Sequence, residues 1–191
     1  MSGGACPWKG RINMNDSVIS GTLKKGDTDY PQGYLYILEV PRKSGAVDSL
    51  MVISKTPGLM EGPVKITGHV RSEYIHKIGV PVYIVPEKIE SVEDLGESRT
   101  TVTGRLKEDP VCRHTKKGKS VSTILLVTND GTVPVLLWGK DAEEVSEKYK
   151  GGDMLTASGR LRSREYPDKK GQTRTAYELS ASKVKLSGGA Q

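Results

Sequence analysis

Residues 159–166 read Gly-Arg-Leu-Arg-Ser-Arg-Glu-Tyr, and residues 68–74 read Gly-His-Val-Arg-Ser-Glu-Tyr. Upstream of each stretch lies a second echo, where Val18-Ile-Ser-Gly-Thr-Leu23 answers Thr101-Val-Thr-Gly-Arg-Leu106. Downstream, Val82-Tyr-Ile-Val85 answers Ala176-Tyr-Glu-Leu179. The landmarks come in the same order in both halves, so the chain repeats itself. A repeat of roughly 75–90 residues is too long for a solenoid unit and suits a small domain.

Within each copy, Val, Ile and Leu alternate with polar residues in short runs broken by Gly, Pro and Asp, the pattern of half-buried strands. The chain has 8 Tyr, 2 Trp and no Phe, so aliphatic side chains must build the cores. In the second copy the pattern predicts strands over 99–107, 121–127, 133–138, 154–164 and 174–186. Residues 110–119 read as a polar turn region, Asn129-Asp-Gly131 as a hairpin, and Tyr166–Gly171 as a second hairpin tip. A helix is expected from Asp141, with Asp141 as N-cap and Glu144 completing a capping-box pattern. Its apolar stripe is Ala142, Val145 and Tyr149, and Gly151-Gly152 ends it.

The resulting order, β-β-β-α-β-β, is that of an OB-fold, a partly open five-stranded Greek-key barrel. The first copy gives the same order with its helix eroded, because Pro57 and Gly58 leave at most one turn in Ser54–Gly62. The expected fold is all-β, with two tandem OB-fold barrels, the second carrying a helix between its third and fourth strands. The expected divisions are a tail at 1–15, a divergent OB-fold domain at 16–86, an acidic linker at 87–98, a second OB-fold domain at 99–187 and a tail at 188–191.

Charge separates the copies. Residues 1–98 hold 11 Lys+Arg against 12 Asp+Glu, whereas residues 99–191 hold 18 against 11. The net charge of +6 therefore lies in the second copy and points to a polyanion. Cys6 and Cys112 have no partner at metal-ligand spacing, so they read as reduced thiols and no metal is expected. The opening MSGGACPWKG has no apolar core of a leader, and the longest apolar run, Ile124-Leu-Leu-Val127, is too short to span a bilayer. A soluble cytoplasmic protein without a membrane partner is expected. No nucleophile–base spacing, Walker loop or dinucleotide glycine pattern occurs, so neither catalysis nor a cofactor is expected.

The candidate binding residues follow from strand parity. Arg160, Arg162 and Arg164 alternate and share one face, with Leu161 on the other. Three arginines cannot all point into a core, since an unpaired buried charge is prohibitive. Tyr166 continues the arginine parity. Trp138 ends a strand whose alternation is poor at Leu136-Leu137, which leaves both a core role and a stacking role open. The loop residues Arg113, Lys116, Lys117 and Lys119, the tip residues Lys169 and Lys170, and Arg105, Lys140 and Arg174 complete the basic set. A possible second site in the first copy comprises Tyr34, Tyr36, Arg71, Tyr74 and Lys77. Tyr34 and Tyr36 share a face with Leu38, which makes that face partly core. Tyr74 lies six residues after its glycine where Tyr166 lies seven, which reverses the face.

Gly104-Arg-Leu-Lys-Glu-Asp-Pro110, the Thr115…Gly118 spacing, Trp138-Gly-Lys-Asp-Ala-Glu143, Tyr149-Lys-Gly-Gly-Asp153 and Gly159…Tyr166 occur in the order found in bacterial single-stranded DNA-binding proteins. The second copy resembles that family along almost its whole length, and the first resembles a divergent relative. The resemblance implies an OB-fold that binds single-stranded DNA without sequence preference, in replication, recombination or repair. It puts Trp138 and Tyr166 at the family's aromatic positions. It also implies a homodimer presenting four OB domains, and a place in the bacterial cytoplasm with the nucleoid. Two features depart from the family. The second hairpin is cut short at Asn129-Asp-Gly131, without the family's tryptophans, and the chain ends Lys185-Leu-Ser-Gly-Gly-Ala-Gln191 rather than in an acidic, Phe-terminated tail. Those departures resemble the tail-less primosomal proteins of the PriB type. The alternatives are thus a primosome or mobile-element subunit acting through replication or primosome proteins, and an RNA-binding OB protein.

Overall fold

The computed structural model describes residues 15–26, 33–74, 81–168 and 170–187. Both tails, apart from Asn15, together with Lys77 and Lys169, lie outside the described residues. The described chain holds eleven strands and one helix. The first five strands are β1 (Asp16–Lys25), β2 (Tyr34–Pro41), β3 (Val47–Ser54), β4 (Gly62–Ser72) and β5 (Val82–Ser91). The next four are β6 (Ser98–Leu106), the short β7 (Arg113–His114), β8 (Ser120–Thr128) and β9 (Gly131–Trp138). Helix α1 (Lys140–Lys148) follows, then β10 (Met154–Pro167) and β11 (Thr173–Leu186).

The pairings close two rings. In the first, β1 pairs with β2 and β4, β2 with β3, β4 with β5, and β3 with β5 in parallel. In the second, β6 pairs with β8 and β10, β8 with β9, β10 with β11, and β9 with β11 in parallel. A short β1–β6 ladder joins the rings into one sheet. The aliphatic alternation fills both interiors: Ile19, Leu38, Val64 and Val70 in the first ring and Val102, Leu126, Leu137 and Leu161 in the second are at most 1% exposed.

The repeated glycines now have a physical reason. Strand β4 bulges at Thr67/Gly68 and β10 at Ser158/Gly159. A Cβ on Gly68 would lie 2.2 Å from the Val85 carbonyl oxygen, and one on Gly159 would lie 2.1 Å from that of Ser180. Only a residue without a side chain lets the partner strand approach so closely at a bulge.

Several expectations need correction. Strand β5 continues to Ser91, so the first residues of the acidic stretch 87–98 extend the sheet rather than link domains. The polar turn 110–119 contains the two-residue strand β7, paired with β8. Strands β10 and β11 run together out to Pro167 and Thr173. Asp141 does not cap α1. The cap lies two residues earlier: Gly139 at φ 59° occupies the N-cap position, and no side chain caps the helix. The Gly139 carbonyl accepts from the amides of Ala142 and Glu143. Ala142 and Val145 form the buried stripe, as expected. Among the described residues no helix is long and apolar enough to cross a membrane.

Among the described residues the rings meet along four contacts. Ser17 Oγ and Thr100 Oγ1 hydrogen-bond at 2.8 Å beside the β1–β6 ladder. Tyr177 of β11 packs on Met51, Ile53 and Tyr83, which form an apolar patch on β3 and β5. The tip of the β8–β9 hairpin abuts the end of β4: the Ser72 amide donates to the Asp130 carbonyl at 2.8 Å, and Asn15 Nδ2 to Thr128 Oγ1 at 3.1 Å. A Cβ on Gly131 would lie 1.8 Å from the Ser72 carbonyl oxygen. This hairpin is short because the other ring occupies the space ahead of it.

The fourth contact is ionic. Asp48 on β3 is fully buried. It accepts from Arg42 Nε at 2.7 Å and from Arg42 Nη2, from Arg160 Nε at 3.2 Å and from the Ser163 amide at 3.0 Å. Burial pushes the Asp48 carboxyl up in pKa, but the hydrogen bonds from Arg42, Ser163 and Arg160 outweigh it and hold it below the ordinary value. The same pairing holds the Arg42 guanidinium above its ordinary value.

Candidate nucleic-acid interface

Strands β8 and β9 place Val121 opposite Trp138 and Thr123 opposite Leu136. Strand β7 places Arg113 opposite Val121. Paired residues project to the same side of a sheet, so Arg113, Val121 and Trp138 stand abreast. Trp138 is 44% exposed, which settles its role against the core. Its neighbour in the strand, Leu137, is buried, so the irregular alternation resolves with Leu137 inward and Trp138 outward.

Trp138 lines a groove of about 360 Å³, together with Leu136, Arg42, Arg162, Arg164 and Glu178. Arg162 and Arg164 enter it from β10, on the parity expected from the sequence. The Arg164 guanidinium lies 5.6 Å from the centre of the Tyr166 ring, and Tyr166 is 39% exposed. A cation within about 6 Å of an aromatic face is attracted to it, so the two side chains stabilise one another. Arg162 makes no ion pair or hydrogen bond among the described residues. A larger groove of about 830 Å³ shares Arg42 and Arg162 with the first and continues past Pro41 and Lys43 of the first ring. Lys43 is exposed and unpaired among the described residues.

The structure thus brings Trp138, Arg162, Arg164, Tyr166 and Arg113 together. Lys116, Lys117 and Lys119 are exposed on the β7–β8 turn and make no ion pair among the described residues. Lys170 is exposed on the β10–β11 turn, and Lys140 is exposed at the start of α1. A lysine there opposes the helix dipole, so helix stability does not explain it.

Three other expected contacts are already engaged. Arg160 is a correction: besides Asp48 it donates to the carbonyls of Gly96 at 2.9 Å and Pro41 at 3.0 Å, so it joins the rings instead of facing a ligand. Arg105 donates to the Gly152 carbonyl at 2.6 Å. Arg174 bonds Asp168 at 3.1 Å, and Asp168 is held below the ordinary carboxylate pKa by the amides of Gln172 and Lys170 and by Arg174.

The four described members of the second site in the first ring do not assemble. Tyr36 is 2% exposed, and its hydroxyl accepts from the Leu59 amide at 3.1 Å, so it is core. Arg71 faces Asp130 of the other ring at 3.4 Å. Tyr74 is 68% exposed but lies beyond the end of β4, and Tyr34 is 38% exposed at the start of β2. Sequence reasoning missed Arg42, Lys43 and Asp48. The available signal was Asp48 itself, an acid leading the strongly apolar run Leu50–Ile53. Among the described residues no cluster of three or more His, Cys, Asp or Glu is placed to hold a metal ion.

Closed five-stranded β-barrel pairing with an aromatic and basic outer face defines an all-β OB-fold protein. The structure is similar to the wild-type single-stranded DNA binding protein from Thermus aquaticus, with a TM-score of 0.68 and 24% identity, over 93% of this chain and 95% of that one. The model of the single-strand binding protein family matches residues 97–187. The single-stranded DNA-binding protein of Clostridium tetani is 33% identical over 100 residues, which span 47% of this chain and 69% of that protein. That of Paenarthrobacter aurescens is 33% identical over 104 residues, 47% of this chain and 61% of the relative's length. The chain belongs to the single-strand binding protein family.

Proposed function

We propose that the protein binds single-stranded DNA without sequence specificity, by stacking bases on Trp138 and Tyr166 and holding phosphates on Arg162, Arg164, Arg113 and the β7–β8 turn lysines. The observation that carries this reading is the exposed Trp138 in one groove with Arg162 and Arg164. Aromatic faces beside unpaired cations are what a single strand requires, and a stacked base contributes about 1–3 kcal/mol. Two OB-fold domains per chain, at 16–91 and 98–187, fit the two rings of strand pairing and the extent of the Thermus likeness. On that reading the DNA path runs from Trp138 across Arg42 and Arg162 to Lys43. A homodimer would then present four OB domains, in replication, recombination or repair.

The test is titration with oligo-dT followed by tryptophan fluorescence and by anisotropy of a labelled strand. The wild type is expected to bind single strands and not duplex, with fluorescence quenching that weakens as salt rises through counterion release. Trp138→Ala is expected to lose about 5- to 150-fold in affinity while staying folded by circular dichroism. A folded variant that binds oligo-dT as the wild type does would refute the stacking role.

A further inference from the structure

Glu178 is 9% exposed and lines the groove beside Trp138. It makes no hydrogen bond or ion pair among the described residues. Its neighbour across the β10–β11 ladder is Arg162, yet the two side chains form no ion pair. The side chain is largely covered, but its carboxylate oxygens keep contact with solvent in the groove, where a ligand can reach them. The next residue, Leu179, is fully buried, so strand alternation points Glu178 outward, into the groove. The groove therefore holds an acceptor without a protein partner among the described residues.

A phosphate cannot satisfy it, since like charges repel. The neighbouring guanidiniums of Arg162 and Arg164 are the natural phosphate partners, and they keep the region positive around the single carboxylate. What a carboxylate can accept from is an N–H donor. The walls beside it, Leu136 and Trp138, suit the flat face of a base. Cytosine, adenine and guanine carry exocyclic amino donors. Thymine and uracil present one N–H flanked by two carbonyls, which a carboxylate repels.

We propose that Glu178 reads the base edge: it accepts a hydrogen bond from the amino group of a base lying beside Trp138, and so biases a sequence-independent site toward amino-bearing bases. This rests on the single-strand binding reading above. Hydrogen bonds to charged groups are strong enough to give about a tenfold preference at one position.

The experiment compares oligo-dC with oligo-dU of equal length, whose bases differ only at C4 and N3. Differences in stacking cancel when the dC:dU affinity ratio of the wild type is divided by that of Glu178→Gln. The amide offers a donor as well as an acceptor, so that quotient is expected to be about tenfold. Wild-type protein alone gives a second test. Oligo-dC bearing N4,N4-dimethylcytosine, which has no donor, should bind more weakly than oligo-dC bearing N4-methylcytosine, which keeps one. Equal effects of Glu178→Gln on dC and dU would overturn the proposal, as would equal binding of the two methylated strands; both results leave single-strand binding standing. A change confined to RNA against DNA would assign Glu178 to the ribose hydroxyl and overturn base reading. Failure of the wild type to bind either strand would overturn this inference together with the reading beneath it.

Discussion

Replacing Asp48 with asparagine tests what holds the two rings together. The carboxylate accepts four hydrogen bonds, three of them from guanidiniums. Asparagine fits the space but keeps one acceptor oxygen and turns a donor toward Arg42 or Arg160. Removing one partner of a buried ion pair typically costs about 3–5 kcal/mol. Asp48 is 0% exposed, but Arg42 and Arg160 are 19% and 26% exposed, so water recovers part of their hydration. The expected loss is at the lower end, about 3 kcal/mol. With a urea slope of about 2 kcal/mol per molar, the unfolding midpoint at pH 7 should fall by about 1.5 M.

The pH dependence has a definite sign. The folded Asp48 pKa lies below its ordinary value of 3.8. Its contribution is therefore fully present above that value and is lost as pH falls through the lower folded one. The gap between wild type and Asp48→Asn should be full at neutral pH and close in strong acid, where the wild type carries a neutral carboxylic acid. A midpoint shift under about 0.5 M at pH 7, or a gap that persists unchanged in acid, would refute the ionic latch.

Tyr36→Ala should destabilise the protein by about 3–5 kcal/mol in urea melts, since it empties a buried site and strands the Leu59 amide. The folded fraction should still bind oligo-dT with wild-type affinity by anisotropy. Gly159→Ala should cost more than about 3 kcal/mol in thermal melts, because its Cβ would meet the Ser180 carbonyl. Gly118→Ala, at φ 74° with nothing nearby, should cost only about 1–2 kcal/mol.

The sheet was legible because its signals are local. Alternation reported which side of β10 each residue faces, and the repeated glycines, legible only as landmarks of the repeat, prove to lie at the two bulges. Leu137 and Trp138 show where this weakens. With two adjacent leucines the parity of β9 is ambiguous, and only the register against β8 decides it. The capping of α1 failed for a related reason. Asp141 had the right chemistry, but Gly139 takes the N-cap position and starts the helix two residues sooner. Parity also cannot say what lies opposite a face. Arg160 was placed on the correct side of its strand, but that side meets Asp48, which is distant in sequence and belongs to the other ring.

The same contact changes how the basic charge should be weighed. The second half of the chain carries the excess of Lys and Arg, yet Arg160, Arg105 and Arg174 are held by protein groups. Net charge therefore overstates what is free for phosphates. The first half is nearly neutral, yet it supplies the unpaired Lys43 to the larger groove, while its Arg42, held by Asp48, lines both. Asp48 orients Arg42 and, through the Ser163 amide, the segment of β10 that carries Arg162 and Arg164. A residue that binds no ligand thus sets the geometry of the cations that can. The short β8–β9 hairpin belongs to the same arrangement. A longer hairpin would collide with Ser72 and push the rings apart, separating Arg42 from the groove it shares with Trp138.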